Sequence, residues 1–153
     1  MSDQNLSARI LSDLKDAMKA KEADRLTVLR ALKSAISYGP APAEPHHPDL
    51  FWYGIHPTES LFTVMGSGCE SVVRSTGKGA VVVTGTWSDG RIGTLHGISE
   101  GKAGYKVIKF GAKGIFEQKS GGDYTPMLRE IMTFFRTGKP PVSPEETLEI
   151  YAF

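Results

Sequence analysis

Residues 81–98, Val81-Val82-Val83-Thr84-Gly85-Thr86-Trp87-Ser88-Asp89-Gly90-Arg91-Ile92-Gly93-Thr94-Leu95-His96-Gly97-Ile98, are the stretch on which the fold turns. β-branched residues and threonines alternate on both sides of Asp89-Gly90, the dipeptide that a tight primed hairpin turn prefers. Val81, Val83, Gly85 and Trp87 fall on one face of the first strand, and Val82, Thr84, Thr86 and Ser88 on the other. The pattern predicts a two-stranded antiparallel unit with one face set toward a core.

Working outward, three more strands are expected at 70–75, 105–110 and 114–118, with Lys113-Gly114 as a turn between the last two. An antiparallel meander is the simplest way to join the five. Upstream, 50–65 is apolar and aromatic-rich and stops at Gly66-Ser67-Gly68; Pro57 suits the first position of a helix over 57–65. Downstream, Met127 to Phe135 reads as a helix stopped by Thr137-Gly138-Lys139-Pro140-Pro141. Ser143-Pro144-Glu145-Glu146 is a capping box that opens a last helix. Its apolar residues, Leu148, Ile150, Tyr151 and Phe153, read as a helix cut in its stride, as truncation would leave it. Trp52, Phe62, Phe134 and Phe135 are expected in the core.

The first 37 residues have a different texture. Leu6, Ile10, Leu11, Leu14 and Met18, then Leu26, Leu29, Leu32 and Ile36, repeat at helical spacing, with Asp24 placed to cap the second helix. Between 38 and 48, prolines at 40, 42, 45 and 48 fix φ and remove backbone donors, so an extended, semi-rigid connector is expected. The fold class is therefore α+β: a helical arm at 1–37, a proline-rich connector at 38–48, and a mainly antiparallel open sheet backed by helices at 49–153.

Charge narrows the partners. The 153 residues carry 18 basic and 17 acidic side chains, and the arm holds only a small basic excess. Asp13, Asp16, Glu22 and Asp24 dilute that excess, which argues against nucleic acid and against an anionic membrane. One cysteine, Cys69, forms no internal disulfide, and no signal-peptide pattern opens the chain, so a cytoplasmic location is expected.

Several motifs together resemble one family. "WYGIHPTESLFTVMG" (52–66), "VTGTWSDGRIGTLHGI" (83–98), "FGAKGIFE" (110–117) and "MLREIMTFFRTGKPPVSPEETLEIYAF" (127–153) are similar to the C-terminal part of the Gfo/Idh/MocA oxidoreductases. The resemblance covers residues 38–153. It implies an open-sheet domain whose uncovered face pairs subunits, hence a homo-oligomer, and a sugar- or polyol-like ligand. It also implies that His56, in Gly54-Ile55-His56-Pro57, is the catalytic residue that positions or protonates a substrate oxygen. His46, His47, Trp52 and Tyr53 become candidate substrate-binding residues.

The chain departs from that family at the chemistry. Trp52 stands where an aspartate often precedes the histidine, and the lysine of a Glu-Lys-Pro step has no counterpart. NAD(P) serves the family, but the Rossmann fingerprint is missing: Gly66-Ser67-Gly68-Cys69-Glu70-Ser71 has the wrong last residue and follows a helix. No cofactor is therefore expected for this chain. No metal is expected either, since adjacent histidines on an extended segment diverge and no second cluster completes a site.

"LKDAMKAKEADRLTVLRALKSAI" (14–36) resembles the opening of the GatB/YqeY-like family of small helical proteins, which implies an RNA- or amidotransferase-associated role. Three functions follow. The first is an oxidoreductase C-terminal-like domain acting as a binding or oligomerisation module without its own dehydrogenase activity. The second is a GatB/YqeY-like adaptor, and the third a non-functional mosaic of two gene fragments.

Overall fold

The computed structural model describes residues 19–20, 31–118 and 123–153. The helix expected over 5–19 lies almost wholly outside the described residues, as do residues 25–30 of the helix expected over 25–36 and its Asp24 cap. The compact unit described below runs from Leu32 to Phe153.

Its six strands are β1 (Leu32–Pro40), β2 (Cys69–Gly77), β3 (Ala80–Trp87), β4 (Ile92–Ile98), β5 (Lys106–Gly111) and β6 (Gly114–Glu117). Three helices accompany them: α1 (Ile55–Met65), α2 (Thr125–Thr137) and α3 (Pro144–Ala152). The class is α+β and the sheet is open, in the order β2-β3-β4-β1-β5-β6.

β1 corrects the sequence reading twice. The helix expected to reach Ile36 is instead a strand from Leu32, and the proline connector begins only after Pro40. The meander fails for the same reason, because β1 enters between β4 and β5, parallel to the first and antiparallel to the second. The physical cause lies in the inward-facing residues. Ala35, Ser37 and Gly39 are small and buried beneath α1, so the period-2 alternation carries no large apolar side chain. Leu29, Leu32 and Ile36 meanwhile imitate a helical stripe.

β3 and β4 form the expected hairpin, but its turn is different. Trp87 N donates to the Arg91 carbonyl at 2.9 Å and Gly90 N to the Trp87 carbonyl at 2.8 Å, leaving a three-residue loop. A type I′ turn needs positive φ at both central residues and a type II′ turn at the first; here Gly90 has φ 81°, while neither Ser88 nor Asp89 has a positive φ. The strand twist is thus accommodated by glycine in the third loop position. Lys113-Gly114 does close β5 on β6, with Gly111 opposite Gly114.

One face of the sheet is covered. Leu61, Phe62 and Met65 of α1 pack on Val81, Val83, Trp87, Leu95, Ala35 and Leu32, with Ile150 and Phe153 closing one side. Ser143 caps α3 by accepting from Glu146 N at 3.1 Å. α2 ends as expected at Gly138, whose amide donates to the Phe134 carbonyl at 2.8 Å. Its apolar stripe is not in the core: Phe134 and Phe135 are 40% and 77% exposed, and Trp52 is 42% exposed, so of the expected core aromatics only Phe62 is buried.

The other face is open. Register places Val73, Thr84, Thr94, Ile36 and Ile108 in one row across it, and Ser75, Val82, His96, Tyr38 and Lys106 in the next.

Candidate functional site

Where β1 leaves the sheet, Ala41 N donates to the Ile98 carbonyl at 2.8 Å and the chain crosses the sheet end toward α1. The proline-rich run is not straight there. Glu44 and His47 bridge each other, and Asp49 takes φ 49°, a value that aspartate tolerates better than most residues.

Glu44 organises this loop. Its Oε1 lies 2.9 Å from His46 Nδ1 and its Oε2 2.8 Å from His47 Nδ1, while the His46 amide donates to Oε2 at 2.7 Å. One carboxylate therefore orients both imidazoles. The hydrogen bonds from His47 and then His46 hold the Glu44 carboxyl below the usual carboxylate range. Arg74 ties the loop to β2: its Nη2 donates to Asp49 Oδ1 at 2.8 Å and its Nη1 to Oδ2. Between loop and sheet is a hollow of about 390 Å³ lined by Glu44, His47, Asp49, Arg74, Thr76 and Ser99 among others.

His56 is the second residue of α1, exposed, with Nδ1 3.5 Å from Glu59 Oε2. The helix begins two residues earlier than expected, at Ile55, with Pro57 still in the first turn where a backbone N–H has no intrahelical partner. Four of the five candidate residues join one band of rings. His47 lies tilted against Trp52 (4.6 Å between centroids), Trp52 meets Tyr53 edge-on (5.6 Å), and Tyr53 meets His56 edge-on (5.8 Å). His46 stands outside the band, tied to it through Glu44.

Tyr105 extends the band, 6.0 Å from His56. The sequence reading missed it, and also missed Glu44 and Glu59. Tyr105 arrives beside His56 only because β1 and β5 pair, a long-range fact with no local signal. Gly39 makes room: a Cβ there would come within 2.7 Å of the Tyr105 ring. Burial, and then the nearby Tyr53, push the Tyr105 hydroxyl above its ordinary value. The band offers flat apolar faces, while His56 with Glu59 offers an orientable proton carrier.

A pyrophosphate cradle is not built at the glycine turn. Gly68 N and Cys69 N both donate to Glu149 Oε1, the first at 2.7 Å and the second at 2.5 Å, so a carboxylate already takes the amides that a phosphate would need. The turn also leads from a helix into a strand. These residues do not fit NAD(P). Among the described residues no group of three or more His, Cys, Asp or Glu is placed to hold a metal ion, and no described helix is long and apolar enough to cross a membrane.

No family model matches the sequence, and neither does any curated protein. Segment 14–36 thus gains no support as GatB/YqeY-like, and its last residues are part of β1. Solved structures do match. UDP-N-acetylglucosamine 3-dehydrogenase GnnA from Acidithiobacillus ferrooxidans superposes with a TM-score of 0.57 at 10% identity, over 80% of this chain and 51% of its own. A myo-inositol dehydrogenase from Corynebacterium glutamicum gives 0.56 at 16% identity, over 87% and 55%. The chain shares its fold with part of these dehydrogenases. It spans about half of their length.

Proposed function

We propose that this chain is a self-associating binding module related to the C-terminal sheet domain of the Gfo/Idh/MocA oxidoreductases, and that it does not transfer hydride by itself. The open sheet face carries this reading. Six strands about 4.8 Å apart and four rows about 6.8 Å apart span on the order of 500 Å² in projection. Side-chain relief raises that toward the roughly 800 Å² per partner of a standard specific interface. Val73 and Ile115 on this face are 70% and 72% exposed. A second copy presents the same rows, and pairing would bury both.

The ligand in this reading is sugar- or polyol-like. Trp52, Tyr53 and Tyr105 would stack on the apolar faces of a polyhydroxylated ring, with Glu44, His47 and Asp49 accepting or donating to hydroxyls. The solved neighbours named for UDP-N-acetylglucosamine and myo-inositol support that class. His56 is proposed as the group that meets the ligand's reactive oxygen, and His46 as support for Glu44.

Two measurements test this. Light scattering of the full chain at pH 8 should give twice the chain mass; a monomer at 100 μM ends the self-association reading. Calorimetric titration with myo-inositol should give a saturable heat that Trp52→Ala removes, while NAD⁺ should give none. Micromolar NAD⁺ binding would overturn the non-catalytic part.

A further inference from the structure

We propose that the paired open faces separate on acidification, and that His96 is the proton sensor. This inference rests on the self-association reading above.

The placement comes from topology. β4 and β1 are the two central strands of the six, and His96 sits on β4 with its exposed side chain on the open face. Its register partners are Val82 on β3 and Tyr38 on β1, and Thr94 and Ile98 flank it along its own strand. A two-fold pairing that overlaps the faces fully passes its axis near this centre. The imidazole of each copy then lies in the middle of the contact, farthest from water.

Charge balance decides the sign. The row continues outward to Ser75 on β2 on one side and Lys106 on β5 on the other. Lys106 Nζ donates to Glu117 Oε1 on β6 and lies against the Tyr38 hydroxyl, so that carboxylate is already matched. Among the described residues, no acidic side chain in the row stands beside His96 to compensate an imidazolium. A proton added at His96 would therefore place two uncompensated charges in one buried centre, which desolvation opposes. Of the four histidines, the other three lie elsewhere: His46 and His47 in the loop and His56 on α1.

A dimer that excludes the proton from two imidazoles weakens by roughly 10³-fold between pH 8 and pH 5. Sedimentation equilibrium of the full chain across that range, with far-UV circular dichroism at each pH, reads the effect. The dissociation constant should rise about a thousandfold in the native chain and His46→Gln/His47→Gln should respond alike. His96→Gln should stay dimeric at pH 5, which also shows that acid does not act by unfolding. An unchanged constant between pH 8 and pH 5, or an equal acid response in His96→Gln, overturns the sensor while leaving the pairing intact. A monomer at pH 8 overturns both.

Discussion

Gly85 and Gly93 face each other across β3 and β4, and the indole of Trp87 lies over both. Neither glycine has a positive φ, so backbone freedom is not why they are there. They are there for closeness: a Cβ on Gly93 would come within 2.7 Å of the Trp87 ring, and one on Gly85 would meet Phe153 at 2.6 Å and Cys69 Sγ at 2.8 Å. The bed lets Trp87 lie flat enough for Nε1 to donate to the Gly66 carbonyl at 2.8 Å. Gly93→Ala should cost about 1–3 kcal/mol in urea denaturation, as overpacked cores do, and alter the near-UV signal of Trp87. A loss below half a kcal/mol would mean that the indole moves aside freely.

Arg91 completes the same junction. Its Nη1 donates to the Met65 carbonyl at 2.6 Å and its Nε to both Asp89 oxygens, at 2.9 and 2.7 Å. The guanidinium thus satisfies a C-terminal carbonyl of α1 from the hairpin loop, a job more often left to glycine. Arg91→Met keeps much of the apolar stem but strands that carbonyl, and should destabilise by about 2 kcal/mol. Arg91→Lys should recover less than half, since an ammonium lacks the fork that serves Asp89 and Met65 together. Thermal or urea unfolding of both variants checks the order.

The hairpin was legible because its evidence is local: alternation and a Gly-containing turn need no distant partner, and neither does the Ser143 cap that opens α3. β1 was not, because its identity depends on what covers it. A strand whose inner face is Ala35, Ser37 and Gly39 shows no apolar alternation, and that face makes sense only with α1 lying close above. His56, Trp52, Tyr53 and His47 could be nominated only because the segment around Gly54-Ile55-His56-Pro57 resembles a known family. Tyr105 could not, because the β1–β5 pairing alone brings it to His56. Glu44 was overlooked among prolines although the histidines two and three residues on are within its reach.

Glu44 gives a pH prediction with a definite sign. Its carboxyl titrates below the ordinary value because His47 and His46 bond to the charged form. A depressed carboxyl contributes stability that is fully present above its unfolded value, about 4.5, and lost as pH falls through its lower folded value. The loop should therefore hold its His47–Trp52 contact at pH 5 and release it in stronger acid. Carbon-detected NMR of the Glu44 carboxyl should show a midpoint below 4.5. Glu44→Gln should abolish the acid-dependent change in Trp52 resonances; persistence of that change would assign it to another group.

Ser37 offers the opposite experiment, a gain from deletion. It sits mid-strand in β1 under α1, 0% exposed, and its Oγ has no hydrogen-bond partner among the described residues. A buried hydroxyl without a partner costs about 1–3 kcal/mol, and removing it leaves a void no larger than one oxygen atom. Ser37→Ala should therefore raise stability by up to about 1 kcal/mol after the lost packing is subtracted. Ser37→Val should lower it, because the added methyls would press on a helix that β1 admits only through its small residues. Urea midpoints of the pair separate the two effects. If alanine destabilises by more than about 1 kcal/mol, the hydroxyl must be bonded in solution, and the close seat of α1 on β1 would then be held by polarity as well as by size.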